Sequence, residues 1–190
     1  MFHLLKQRYL SEAIKVITDG GIIAYPTEAV YGLGCDPFNE TAVKRLLAIK
    51  QRPIEQGLIL IAAEWQQVAN LVQPISDEKM AEINATWPGP VTWVFPASPL
   101  VPPWIRGQHP SIAIRITGHS IAKQLCQRFN KPLVSTSANL SGQVALHDTV
   151  GVKLAFSNKI DYILPGRVGG NPKPSEIRDV LTGNIIRPGS

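Results

Sequence analysis

The chain has 190 residues, 44% of them apolar and 17% charged, a balance that fills a core and excludes a disordered polymer. Its net charge of +5 favours a polyanionic partner: a nucleotide, RNA or an acidic protein. Cys35 and Cys126 stand outside any CxxC or Cys/His cluster, residues 1–6 lack the apolar run of a secretion signal, and no stretch reaches membrane-spanning length; a disulfide framework and a membrane protein are excluded, and a reducing cytoplasm is expected.

In chain order, a helical pattern over 11–17 stops at Gly20-Gly21 and a short buried strand over 22–25 ends at Pro26. The segment 29–36 is punctuated by glycine and reads as irregular. A helix from Thr41 carries Val43, Leu46, Leu47 and Ile49 on one face, and Pro53 forbids its continuation. A strand over 58–62 and a short helix over 64–72 follow, then a helix capped by Ser76 and a rigid turn at Trp87-Pro88-Gly89-Pro90. Strands over 91–95 and 111–117 are joined by a proline-rich loop, and a helix over 119–129 feeds a strand at Leu133-Val134. A helix over 149–156 and strands over 162–164, 177–180 and 185–186 complete the pattern. Strands alternate with helices for two thirds of the chain and then dominate. The expected fold is α/β: one domain over 1–190, an open twisted mixed parallel and antiparallel sheet with helices on its faces.

Neither a GxxxxGK[ST] loop nor a GxGxxG turn after a strand is present, and HExxH and zinc-type clusters are absent. Any nucleotide must therefore be held by side chains. Lys50 and Arg52, two apart at a helix end, pair a point charge with a planar fork suited to phosphates; cations in a last helical turn also answer the macrodipole. Ser135-Thr136-Ser137-Ala138-Asn139 offers hydroxyls and an amide for phosphate oxygens or magnesium, or a turn held by its own side chains. Arg115 alternates in phase with Ala113 and Ser111, so the three share a face; a buried arginine among small residues reads as a pocket floor that needs a ligand carboxylate or a structural Asp/Glu. Thr27 and Glu28, just past a strand end, are placed to line the same pocket, although Glu28 is equally placed to cap a helix.

Together these segments resemble the YrdC-like family of threonylcarbamoyl-adenylate synthases. The resemblance rests on residues 24–34 (Ala-Tyr-Pro-Thr-Glu-Ala-Val-Tyr-Gly-Leu-Gly), Lys50-Gln51-Arg52-Pro53, Trp87-Pro88-Gly89-Pro90-Val91-Thr92, Ile114-Arg115, the stretch 135–142, Pro174-Ser175-Glu176-Ile177 and Arg187-Pro188-Gly189, in the family's order. It implies an open α/β sheet with a basic concavity, in the family's short form. It also implies a reaction: L-threonine, bicarbonate or carbon dioxide, and ATP give threonylcarbamoyl-AMP and pyrophosphate. The product serves N6-threonylcarbamoyladenosine formation at position 37 of tRNAs reading codons that begin with A, through a separate threonylcarbamoyl transferase complex.

Carried over by position, the resemblance assigns Lys50, Arg52, Ser137 and Asn139 to ATP phosphates and the metal, with Lys50 and Arg52 as catalytic cations. Ser111, Ser135 and Arg187 lie near the nucleotide, and Thr27, Arg115 and Ser175 hold threonine, with Arg115 on its carboxylate. Magnesium accompanies ATP, with Ser137 and Asn139 as its protein ligands. Many relatives carry Pro-Ser-Thr where this chain has Pro174-Ser175-Glu176. Alanine at Lys50 or at Arg52 is expected to abolish activity without unfolding. The alternative is an RNA-binding or ribosome-maturation module using the same concavity, and an enzyme of this kind is also placed to touch tRNA or double-stranded RNA. Aromatic residues do not interleave with Lys and Arg as in a single-strand stacking platform. The segments 96–110 and 166–174 are candidate lids.

Overall fold

The computed structural model describes residues 2–140, 142–170 and 175–189. Among them nine strands form one sheet: β1 (Ile23–Pro26), β2 (Tyr31–Gly34), β3 (Ile59–Ala62), β4 (Val91–Pro96), β5 (Ser111–Ile116), β6 (Leu133–Ser137), β7 (Tyr162–Ile163), β8 (Glu176–Asp179) and β9 (Ile185–Arg187). Their order across the sheet is β7-β1-β2-β6-β3-β5-β4-β8-β9. The β7–β1, β3–β5 and β4–β8 pairs are parallel and the rest antiparallel, the mixed architecture expected.

Helices α1 (Phe2–Thr18), α2 (Glu40–Lys50), α3 (Asp77–Asn84), α4 (Pro103–Arg106), α5 (Ser120–Phe129) and α6 (Thr149–Phe156) surround it. In α1, Leu10, Ala13 and Ile17 recur at helical spacing and are buried, a stripe that packs with Leu125 and Cys126 of α5 on one sheet face. The opposite face receives Val43, Leu46 and Leu47 of α2 in the larger cluster. Central strands are apolar on both sides because successive side chains serve both clusters: Leu60 and Ala62 join one, Ile61 the other. Both thiols are free and buried, Cys35 in the first cluster and Cys126 in the second, and burial pushes each up to about 12.

Three sequence expectations change. Residues 29–36 are not irregular: β2 pairs with β1 and β6, and its glycines allow close approach. A Cβ on Gly34 would collide with the Val134 carbonyl oxygen and the Tyr25 ring. The helix expected over 64–72 resolves into two 3-10 turns, Trp65–Gln67 and Ala69–Leu71. There the Gln67 amide accepts from Ala63 N at 2.8 Å and donates to the Cys126 carbonyl at 2.8 Å, which pins the chain before a third turn forms. The proline-rich stretch 96–110 holds α4, whose Ile105 is buried and whose neighbour Trp104 donates from Nε1 to the Pro37 carbonyl at 2.9 Å. It is anchored wall rather than lid. In the other candidate lid, Gly166 is tied to the Tyr31 hydroxyl; residues 171–174, and Ser141 of the serine-rich segment, lie outside the described residues.

Candidate active site

Strand register builds the floor of a cavity of about 670 Å³. Ser135 of β6 pairs with Ile59 of β3, Ile59 with Ala113 of β5, and Ala113 with Val94 of β4, and all four residues line the cavity. One strand over, Gly32 of β2 pairs with Ser137 of β6, and both line it too. The side chains in this row are mostly small, which is what leaves the space. Two residues along, Ile61 lies beside Arg115 and Leu133, and Ile61 and Leu133 pack with α1 and α5. The cavity is thus the uncovered continuation of a sheet face whose other end is sealed by helices, and Arg115 marks the boundary.

The structure places Thr27, Arg52, Ser111, Arg115, Ser135, Ser137, Asn139, Ser175 and Arg187 along this cavity. Ser111, Ala113 and Arg115 share one face, as alternation requires. Thr27 is buried, with its hydroxyl donating to the Val30 carbonyl at 2.7 Å, so its oxygen lone pairs remain for a ligand. Ser175 is met by the Thr92 hydroxyl at 3.3 Å, and its carbonyl accepts from Arg187 Nη2 at 2.7 Å.

Three arginines converge from separate elements: Arg52 after α2, Arg115 in β5 and Arg187 in β9. Arg187 is held below its usual range, first by burial and then by the charges of Arg115 and Arg52; Arg52 is lowered by burial. Cations that repel one another around a shared space form a site for polyanions. Arg52 spends Nε and Nη2 on the Gly57 carbonyl, at 3.3 and 3.0 Å, which fixes its plane and leaves its other protons free.

Lys50 departs from the sequence reading. It is 4% exposed and does not line the cavity. Its ammonium donates to the Ser137 carbonyl at 2.5 Å, the Asn139 carbonyl at 2.7 Å and Asn139 Oδ1 at 2.8 Å, which uses all three protons. The cause is the end of α2. Gln51 adopts a left-handed conformation with φ 51°, its N–H returns to the Ala48 carbonyl, and the Arg52 N–H returns to that of Leu47. Lys50, still helical, points inward under the β6 loop, whereas Arg52, past the reversal, turns into the cavity. Burial and then the Arg52 charge lower Lys50 from 10.5 to about 8. Lys50 therefore pins the 137–139 loop from behind the cavity wall in this structure.

The same contacts test Ser137 and Asn139 as metal ligands. Asn139 Oδ1 already accepts from Lys50 and, at 2.6 Å, from Ser137 Oγ, while its Nδ2 donates to the Gln143 carbonyl at 2.6 Å. Both lone pairs of that oxygen are engaged and an ammonium lies beside it, so Asn139 does not fit a directly bound divalent ion as the loop stands, whereas the Ser137 hydroxyl only donates and keeps its lone pairs. Among the described residues there is no group of three or more His, Cys, Asp or Glu that could hold one.

The site also includes two residues the sequence left unassigned, and it decides between the two readings of Glu28. Arg106 and His109 sit on the rim, brought there by α4 and its exit, a stretch that reads as loop from prolines alone. Glu28 is inside: its Oε1 accepts from the Thr117 hydroxyl at 2.6 Å and from Gly118 N at 3.1 Å.

A family model described as Sua5, YciO and YrdC, telomere recombination, matches residues 15–189. A threonylcarbamoyl-AMP synthase of Coxiella burnetii (strain RSA 493 / Nine Mile phase I) is 55% identical over 178 residues, covering 94% of this chain and 96% of that one. One of Pseudoalteromonas translucida (strain TAC 125) is 49% identical over 183 residues, covering 95% and 98%. The crystal structure of P. abyssi Sua5 complexed with L-threonine superposes with a TM-score of 0.89 at 34% identity, over 95% of this chain and 54% of the other.

Proposed function

The chain belongs to the Sua5, YciO and YrdC family, and from that premise we propose that the cavity makes threonylcarbamoyl-AMP and pyrophosphate from L-threonine, bicarbonate or carbon dioxide, and ATP. The activity is that of a nucleotidyltransferase serving tRNA modification. The observation that carries this reading is the convergence of Arg52, Arg115 and Arg187 on one cavity beside a hydroxyl-rich strand end. An amino-acid carboxylate and a triphosphate need several cations in one place, and the synthases to which this chain is similar favour the enzyme over the RNA-binding module.

Arg115, deepest and on the floor, takes the threonine carboxylate, with Thr27 and Ser175 nearby. Arg52 and Arg187 face the triphosphate, and Ser111, Ser135, Ser137 and Asn139 add uncharged contacts. Magnesium enters as the counter-ion of ATP, part of the substrate. The threonine ammonium first gives up a proton to solvent. The free amine then bonds to the carbon of carbon dioxide as one C–O π bond opens onto oxygen, and the nitrogen loses a second proton. A carbamate oxygen then attacks the α-phosphorus, and the bond to pyrophosphate breaks. Catalysis is positioning plus neutralisation of phosphate charge, which needs no nucleophilic side chain. The carbamate survives only where water is kept out, a role for the enclosed floor beside Arg115.

No helix among the described residues is long and apolar enough to cross a membrane. Cytoplasmic location, contact with tRNA and delivery of the product to a transferase complex belong to the proposal. Purified protein with magnesium ATP is expected to release pyrophosphate only when threonine and bicarbonate are both supplied. Release independent of threonine, or none at all despite ATP binding, overturns the reading.

A further inference from the structure

Two buried polar atoms in the cavity lack hydrogen-bond partners: Glu28 Oε2 and Arg115 Nε. Their side chains are 15% and 8% exposed, and they belong to one loosely closed ion pair, with Arg115 Nη2 3.5 Å from Glu28 Oε2. That separation is too long for a good charged hydrogen bond. Buried carboxylates and guanidiniums are normally satisfied, and leaving one open costs stability, so an orphan on each partner calls for an explanation.

The pair is not slack for want of anchoring. Oε1 of Glu28 is fixed by the Thr117 hydroxyl and Gly118 N, both at the end of β5, the strand that carries Arg115. One carboxylate oxygen is thereby tied to the wall while the other is left facing Arg115. Burial alone would raise Glu28, but the Arg115 charge and these hydrogen bonds outweigh it and leave the carboxyl below its usual range. The group stays ionised.

A buried cation and anion that satisfy each other only loosely, both on residues lining one cavity, match a ligand that carries both charges on neighbouring atoms. An α-amino acid is such a ligand, because its carboxylate and ammonium hang from a single carbon. Resting on the reading of Arg115 as the carboxylate site, we infer that Glu28 Oε2 receives the α-ammonium of the amino-acid substrate. The two side chains then act as a zwitterion receptor. Because the pair is 3.5 Å apart and both orphan atoms are buried, binding draws the two side chains apart and sets a ligand of zero net charge against both, so each buried charge gains a partner and none is left over. A carboxylate held ionised is a poor resting place for a proton, so the role is recognition rather than base catalysis. The receptor selects amino acids with a free amine and rejects hydroxy acids and N-acylated forms.

The test is calorimetric titration of wild type and Glu28→Gln with L-threonine, with 3-hydroxybutyrate (threonine without its amino group) and with ATP. Glutamine keeps an oxygen for Thr117 and Gly118 but loses the charge. Wild type is expected to prefer threonine over 3-hydroxybutyrate by about tenfold or more, and Glu28→Gln to lose roughly that factor for threonine alone. Its affinities for 3-hydroxybutyrate and ATP stay within about twofold of wild type. Unchanged threonine affinity in the variant, or equal weakening of both acids, overturns the inference. Wild type that does not distinguish the two acids overturns it without recourse to the variant. Wild type that binds no threonine sinks the proposed function as well; wild type that binds threonine beside an unaffected variant sinks only the role of Glu28.

Discussion

Lys50→Met is expected to lose both stability and ATP-dependent turnover. The ammonium is the hub of three oxygens from the 137–139 loop, and removing it takes the charged donor from all three, leaving the Ser137 carbonyl with the Asn139 N–H and Asn139 Oδ1 with the Ser137 hydroxyl. Loss of hydrogen bonds to a buried charge corresponds to about 3 kcal/mol in unfolding free energy. With the loop unpinned, Ser137 and Asn139 lose their positions, and turnover is expected to fall roughly a hundredfold. Urea unfolding and pyrophosphate release, measured on the same preparation, check this. A variant with wild-type stability and no activity would restore the direct phosphate contact that the sequence implies. The pH dependence carries the same distinction. Lys50 is lowered from 10.5 to about 8 in the fold, so between these values the unfolded chain holds the proton more tightly. Raising the pH through that window relieves the burial penalty and does not itself unfold the protein. It does remove the ammonium that pins the loop, so ATP affinity is expected to decline above about pH 8 while the fold persists.

Arg52→Ala is expected to behave in the opposite way, losing function and keeping the fold. Its two hydrogen bonds go to a single carbonyl, that of Gly57, and it lies among like charges that repel it. The net stability change is expected within about 1 kcal/mol, as relief of repulsion offsets the lost contact. Catalysis loses a cation aimed at phosphate, on the order of 3 kcal/mol in the barrier or roughly a hundredfold in kcat/KM for ATP. Threonine affinity in the absence of nucleotide is expected to remain. Steady-state kinetics with ATP varied, together with threonine titration, decide it; full turnover would remove Arg52 from the site.

These two residues also mark what the sequence can and cannot convey. Alternation in 111–117 is enough to put Ser111, Ala113 and Arg115 on one face, because a strand has only two. The end of α2 is legible from Pro53, but the left-handed Gln51 that sends Lys50 and Arg52 to opposite sides is not, since glutamine has no preference for that conformation. Nor can local spacing reveal that Lys50 meets carbonyls 87 and 89 residues away. Strand β2 escapes because Gly32 and Gly34 resemble turn punctuation, whereas the fold uses their missing Cβ atoms to bring three strands close. Glu28 reads equally as a cap or a lining residue until Thr117 and Gly118, some 90 residues on, claim one of its oxygens.

The two sulfhydryls supply an internal clock for opening. Cys35 lies beneath the cluster served by α2 and Cys126 beneath that of α1 and α5, and neither ionises near neutral pH while enclosed. An alkylating reagent therefore marks only molecules in which one layer has lifted. Identifying the modified cysteine by mass reports which side of the sheet parted first, without any added label.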